Sequence, residues 1–375
     1  MRPWLVLMLR CAALRPALRR RLAPRRAFRR TAVRMMPEGP ECHTLSGAMN
    51  ARLGGSRYAV TGVDIVSGRY LEKPPEGLAA LRDRLPLGLE AVRCKGKFIY
   101  FLLEDGVSLW SMLGMSGGWS LRAGHPHTRF ALRLASGDGA VTLWYNDLRN
   151  FGTFKAVFDV GLLEAKLETL GLSWLEDGDA PGFAGKFRAL FAAAAARSPD
   201  KKLAVWLMDQ QQTAGIGNYL LSEILFATRT WPFAALGDVG EARVGALCAE
   251  ALRLIRSSRD AQASAYGTPD PRPKLRDLEP LGFSLEVYGR QVNGGYAVSR
   301  EEGPHGRSVH WVEELQTGAL PDSDEATAAA AARDAIDAVP SMAWTGKRLQ
   351  AACRERGLKV SGAKAELLRR LTGDS

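Results

Sequence analysis

The chain has 375 residues, 46% of them hydrophobic and 24% charged, which allows two or three cored domains and excludes collagen-like, wholly disordered and coiled-coil classes. The longest apolar run near the start, Trp4 to Leu9, is broken by Arg10, far short of the roughly 20 residues a spanning helix needs, so no membrane association is expected. The net charge of +11 is uneven, because residues 1–35 contain eleven Arg and no Lys, Asp or Glu, while the remainder carries 40 basic and 40 acidic residues.

In chain order, residues 1–35 read as an Arg-rich, acid-free leader of the transit-peptide kind, the plain alternative being a solvated charge run. Used as a leader it implies a mitochondrion or plastid, whereas translation from Met36 implies the nucleus or cytosol. Next comes a mainly helical stretch that stops at Gly54-Gly55, where glycine can take the left-handed end conformation. The runs Tyr58 to Val66, Lys97 to Leu103, Val107 to Leu113, Arg129 to Leu134, Val141 to Tyr145 and Thr153 to Phe158 are short, branched or aromatic, and punctuated by Gly and Asp. They predict a β-sandwich or barrel over about residues 56–160, with the first helix packed against an edge.

From Pro181 the pattern turns helical, with segments at Pro181 to Arg197, Lys202 to Gln212, Asn218 to Thr228 and Val239 to Ser258, a second domain of α type. The turn Thr213-Ala214-Gly215-Ile216-Gly217 is too rich in glycine for a helix and exposes backbone N–H groups just before Asn218, a place where a phosphate can sit. Strand character returns over 285–316, with Gly294-Gly295 as the turn between Leu285 to Val292 and Tyr296 to Arg300. Residues 319–340 form an acidic, Ala-rich linker, and Trp344 to Leu371 reads as a pair of helices. The fold class is thus α+β. Cys11, Cys42, Cys94, Cys248 and Cys353 form no C-x-x-C pair, so neither a disulfide framework nor a thiolate metal site is indicated, and no cofactor is expected.

The dipeptide Pro37-Glu38 is ordinary inside a chain, where a proline nitrogen is an amide. At a chain start it becomes a secondary amine with a pKa near the model α-amino range of about 7.7 to 8.0, able to attack an aldehyde-equivalent carbon and form an iminium. Glu38, one residue on, is placed to move the proton that such chemistry needs.

Met36-Pro37-Glu38-Gly39-Pro40-Glu41 resembles the N-terminal signature of the formamidopyrimidine-DNA glycosylase and endonuclease VIII family. Five more motifs follow in that family's order. Lys95-Gly96-Lys97-Phe98 resembles its strand-lysine motif, Leu113-Gly114-Met115-Ser116-Gly117 its next loop, and Asp147-Leu148-Arg149-Asn150-Phe151-Gly152 its Asp-Pro-Arg-Arg-Phe-Gly segment. Trp206 to Gln210 with Gly215-Ile216-Gly217-Asn218-Tyr219 and Ser222-Glu223 is similar to its helix-two-turn-helix, and Val287-Tyr288-Gly289-Arg290 to the entry of its finger. The resemblance covers about residues 36–318, divided as 36–160, 175–284 and 285–318.

It implies a bifunctional glycosylase and abasic-site lyase, expected to be monomeric, acting on double-stranded DNA that carries oxidised bases or abasic sites. Pro37 would be the nucleophile, Glu38 the acid-base and Lys97 a phosphate or sugar contact. Met115, Arg149 and Phe151 would fill the gap left by a flipped nucleotide. Asn218, with the amides of Gly215 to Gly217, would hold a backbone phosphate, and His127 resembles a DNA-contacting histidine. The finger lacks the family's four cysteines, and residues 306–316 resemble instead the zinc-free finger of some members, with Arg307 at its tip. Asn150 stands where many relatives carry Arg.

Residues 341–375 resemble a SAP motif, with eight basic and three acidic residues and Lys364 as a candidate DNA contact. A non-catalytic DNA-damage binding protein is the competing reading. Substrate preference also stays open, since Met115, Arg149 and Phe151 point to oxidised purines while Gly39 and the missing cysteines point to oxidised pyrimidines.

Overall fold

A computed structural model of the protein describes residues 37–265, 275–316, 349, 353, 357–359 and 361–372. The leader, the linker at 319–340 and the start of the SAP-like segment lie outside the described residues.

Helix α1 (Gly39–Leu53) opens the described chain. It is followed by β1 (Ala59–Ile65), α2 (Leu78–Arg84), β2 (Leu87–Lys95), β3 (Phe98–Leu103), β4 (Ser108–Met112), β5 (Gly117–Ser120), β6 (Thr128–Ser136), β7 (Gly139–Asp147) and β8 (Thr153–Val157). The strands form two antiparallel layers, β5-β7-β6-β1 and β2-β3-β4-β8, joined where Ala59 and Val60 pair with Gly88 and Leu87. This is the predicted sandwich. Its interior is filled by Phe101, Trp119, Phe130, Tyr145 and Phe154, with Phe130 and Tyr145 stacked at 4.7 Å between ring centres. Two strands escape the periodicity reading. β2 is interrupted by a register shift at Leu89/Ala91, and β5 holds only four residues, two of them glycine.

After α3 (Val160–Glu168) and the two-residue β9 (Leu172–Ser173) come α4 (Phe183–Arg197), α5 (Leu203–Met208), β10 (Thr213–Ala214), α6 (Asn218–Ala227) and α7 (Glu241–Ala265). Their core gathers Trp174, Phe187, Trp206, Tyr219, Leu247 and Phe283. Residues 218–226 of α6 are buried throughout, including polar Asn218, Ser222 and Glu223, so α6 is a central element and its polar side chains must find partners inside the protein. α5 ends at Met208 rather than Gln212, because the amides of Gln212 and Thr213 both turn back to Asp209 O. α7 runs to Ala265, well past Ser258.

The finger differs from expectation. The Gly294-Gly295 turn joins only β11 (Val292–Asn293) to β12 (Tyr296–Ala297), and the principal hairpin is β13 (Ser299–Glu302) with β14 (Ser308–Trp311). Residues 285–291 are not a strand. The backbone amides of Glu286, Val287 and Tyr288 donate to the carboxylate of Glu223 at 2.8, 3.0 and 2.8 Å, which leaves them unable to join a ladder. The segments that flank the hairpin pack on α6 through Val287 and Val312 against Phe226. The last element is α8 (Lys364–Thr372), whose Leu367 and Leu371 pack with Leu349 and Cys353. Among the described residues no helix is long and apolar enough to cross a membrane.

Candidate active site

Three backbone segments meet where α1 begins. The amide of Gly39 donates to Gly215 O at 2.8 Å, and a Cβ on Gly39 would stand 3.0 Å from Gly215 Cα. Gly96, at φ +57°, is pressed against the same turn, since a Cβ there would lie 2.8 Å from Gly215 N. A side chain at position 96 would collide with the turn and one at position 39 would crowd it, so both glycines have a packing cause beside any substrate. Close approach of these segments carries Glu38 onto the start of α6.

Glu38 is 1% exposed. Its Oε2 accepts the Gly217 amide at 2.8 Å and the Leu220 amide at 3.3 Å, and its Oε1 accepts the Tyr219 amide at 2.9 Å. These are N–H groups of a helix start, which favour an anion. Burial nevertheless outweighs them and pushes the Glu38 carboxyl up to about 7, with Lys97 opposing the rise and Glu41 adding to it. A carboxyl poised there can both give and take a proton at neutral pH. Burial also lowers the Lys97 ammonium from its ordinary range, and the Glu38 charge counters that effect. Arg307, exposed on the finger hairpin, is among the charges that Lys97 feels. Pro37 is buried at the head of this cluster.

The Gly215–Gly217 turn is committed to the protein itself. Gly215 N donates to Gln210 Oε1 at 2.9 Å and Gly217 N to Glu38, which corrects the expectation that both amides wait for a phosphate. Asn218 is likewise engaged. Its Nδ2 donates to Ser308 O at 2.8 Å, and its Oδ1 lies 2.9 Å from His305 Nε2.

A second cluster sits on the sandwich. Asp147, 1% exposed, organises the loop after β7, accepting from Ser116 Oγ, from the Gly152 amide at 2.8 Å and from the Arg149 amide at 3.2 Å. The loop presents Phe151 at 59% exposure, and Arg149 Nη1 reaches Met115 Sδ at 3.1 Å. Met115, Arg149 and Phe151 therefore come together on one rim. His127 adjoins it, its carbonyl accepting the Asp147 amide at 2.9 Å. Lys364 is the first residue of α8.

A family model described as the formamidopyrimidine-DNA glycosylase N-terminal domain matches residues 36–154, and one described as the SAP domain matches residues 341–374. A formamidopyrimidine-DNA glycosylase of Acidiphilium cryptum is 32% identical over 272 residues, covering 72% of this chain and 91% of the relative. The chain belongs to the formamidopyrimidine-DNA glycosylase family. A Thermus thermophilus glycosylase of the same name is 36% identical over 204 residues, which are 52% of this chain and 69% of that one. Among solved structures, Lactococcus lactis formamidopyrimidine-DNA glycosylase bound non-covalently to DNA with an abasic site aligns with TM-score 0.58 and 21% identity, covering 74% of this chain and 99% of its own. A complex of the same bacterial enzyme with DNA containing an oxidised pyrimidine gives TM-score 0.60 at 22% identity. At such identity the likeness is one of fold.

Sequence reasoning left several residues of this DNA glycosylase without a role. Glu41 is 3% exposed and accepts the Glu38 amide at 2.9 Å. Tyr219, Ser258 and Gln262 surround it from α6 and α7. Glu41 and Tyr219 fall inside quoted motifs, but Ser258 and Gln262 lie on a long helix with no local signal. Only the packing of α1 on α7 brings them in.

Proposed function

We propose that the protein is a bifunctional DNA glycosylase and abasic-site lyase that removes oxidised bases through a Schiff base on Pro37. The observation that carries this reading is the buried Glu38 carboxyl, held by three amides of α6, raised to about 7 and adjoining Pro37 and Lys97.

In a chain that begins at Pro37, the neutral secondary amine attacks the sugar C1′. Glu38 protonates the opening sugar oxygen as the glycosidic bond breaks and the base departs with the bonding pair. The resulting iminium acidifies the 2′ proton. Its removal expels the 3′ phosphate by β-elimination, and a further proton loss expels the 5′ phosphate by δ-elimination. Lys97 and Arg307 would supply the positive charge that developing negative charge on phosphate needs. Met115, Arg149 and Phe151 suit the space vacated by an everted nucleotide, since a stacked base is out of reach of the amine. Both oxidised purines and oxidised pyrimidines remain candidate substrates. The abasic-site DNA and the oxidised-pyrimidine DNA bound by the Lactococcus enzyme support the substrate class.

The test is borohydride reduction of the processed protein on duplexes carrying 8-oxoguanine, an oxidised pyrimidine or an abasic site, with the N-terminus read by mass spectrometry. A covalent adduct on a chain starting at Pro37, absent in Pro37→Gly, is expected. No adduct from a chain with a free Pro37 amine would sink the lyase reading.

A further inference from the structure

α7 delivers two polar residues to the catalytic end of the molecule, Ser258 and Gln262, four positions apart on one helix face and each 0% exposed. Gln262 Nε2 donates to Glu41 Oε1 at 2.8 Å and to Ser258 Oγ at 3.1 Å. The Tyr219 hydroxyl lies 3.1 Å from Ser258 Oγ and 3.2 and 3.3 Å from the two Glu41 oxygens. Glu41 Oε2 accepts the Glu38 backbone N–H at 2.9 Å. That N–H belongs to the peptide linking Pro37 to Glu38. The plane from which the proline ring and the Glu38 side chain both extend is therefore referenced to Glu41.

We propose that Gln262 is a positioning residue of the glycosylase reaction, acting through Glu41 to fix the Pro37–Glu38 peptide and to hold a negative charge beside the Glu38 carboxyl. This rests on the roles given above to Pro37 and Glu38.

The chemistry of Gln262 fits that task. Its amide does not ionise, and its two N–H groups serve two acceptors. Its Oε1 is buried with no partner among the described residues. An unpaired buried carbonyl lowers stability, and a Met of similar volume would fill the space without it. The residue is held there for its donors. Tyr219 closes the ring from the other side, because its backbone N–H grips the Glu38 carboxylate while its hydroxyl grips Glu41. In a chain processed to Pro37, the charged and titratable groups facing Glu38 are the Pro37 amine, Lys97 at the β2–β3 turn, Glu41 on α1 and Tyr219 on α6, with Arg307 of the finger acting on Lys97. Of these, Gln262 donates to Glu41 alone. Removing its donors makes the Glu41 carboxylate less favourable, and loss of that charge lowers the Glu38 pKa.

The experiment compares Gln262→Met with the parent chain, both processed to Pro37, in base release from an oxidised-base duplex between about pH 5 and pH 9. Expected are a fall in kcat of about tenfold with KM unchanged, and an alkaline limb displaced to lower pH by roughly half a unit. A fall in kcat with the limb in place would mean a structural residue and overturn the proposal, as would an unchanged profile. Should Gln262→Met fold poorly, Tyr219→Phe removes another side-chain donor to Glu41 and is expected to move the limb in the same direction, whereas an unmoved limb there overturns the proposal too. Retained base release in Glu38→Gln would instead overturn the underlying reading, so the two failures are distinct.

Discussion

Asn218 Oδ1 accepts a hydrogen bond from His305 Nε2 at 2.9 Å, which ties the first residue of α6 to the turn of the finger hairpin. Burial and the Arg307 charge lower the His305 pKa, keeping the ring neutral. Since Asn218 Nδ2 donates to Ser308 O, the carboxamide oxygen faces the ring and Nε2 carries the proton. With only 5% of Asn218 exposed, a backbone phosphate would reach this side chain only after the finger gave way.

That arrangement sets opposite expectations for two substitutions. A neutral hydrogen bond contributes about 0.5–1.5 kcal/mol net, so His305→Ala eases finger release and is expected to tighten binding of a duplex with a stable abasic analogue by roughly 2–10-fold. Asn218→Ala removes the proposed phosphate contact as well and is expected to weaken binding. Fluorescence anisotropy at fixed salt decides. Weaker binding by His305→Ala would show that the docked finger is the form DNA requires.

Glu38 and Glu223 are buried carboxyls raised to about 7, burial being the dominant cause in both. Each folded value lies above the unfolded one of about 4.3, so each favours the folded state fully below that pH, and the contribution is lost as pH rises through about 7. Stability should therefore decline across that window, by at most about 4 kcal/mol per group. Glu223→Gln is expected to lower stability at acidic pH, because one of three amides loses its acceptor, and to flatten the decline. Urea unfolding at several pH values measures both, and an unaltered slope in the variant would refute the assignment to Glu223. On the acid role proposed for Glu38, base release should fall as pH rises through about 7.

Much of the sandwich was legible because its strands are short branched and aromatic runs separated by Gly and Asp, a period-2 signal that burial on one face enforces. β2 and β5 escaped because a register shift and two glycines break that signal. The site divides similarly. Glu38, Lys97, Met115, Arg149 and Phe151 sit in local motifs. The Glu41–Tyr219–Gln262 network joins residues as many as 221 positions apart, which no spacing rule can connect. The finger was misread at 285–291 since nothing in those residues announces that Glu223, some 63 positions earlier, takes their amides.

Gly152 closes the loop built on Asp147, and its carbonyl accepts from Arg69 and the Tyr70 hydroxyl. A Cβ there would fall 1.7 Å from the Tyr145 hydroxyl and 2.9 Å from Met112 O. Tyr145 is itself locked against Phe130 and Trp119, so it cannot swing aside. Gly152→Ala is expected to destabilise by roughly 1–3 kcal/mol, visible as a lower Tm, and to displace Arg149 and Phe151. A melting curve superimposable on the parent's would mean that the loop yields freely.

Phe151 offers the reverse case. At 59% exposure it contributes little to the core, so Phe151→Ala should leave Tm nearly unchanged, within about 0.5 kcal/mol of stability. Its expected role arises only in a duplex, where an everted nucleotide leaves a gap that unfilled stacking makes costly by a few kcal/mol. A single strand has no such gap. Single-turnover base release by Phe151→Ala is therefore expected to fall at least about tenfold on duplex DNA and far less on the same lesion in a single strand. An equal loss on both would place Phe151 in lesion recognition, and no loss on either would remove it from the site.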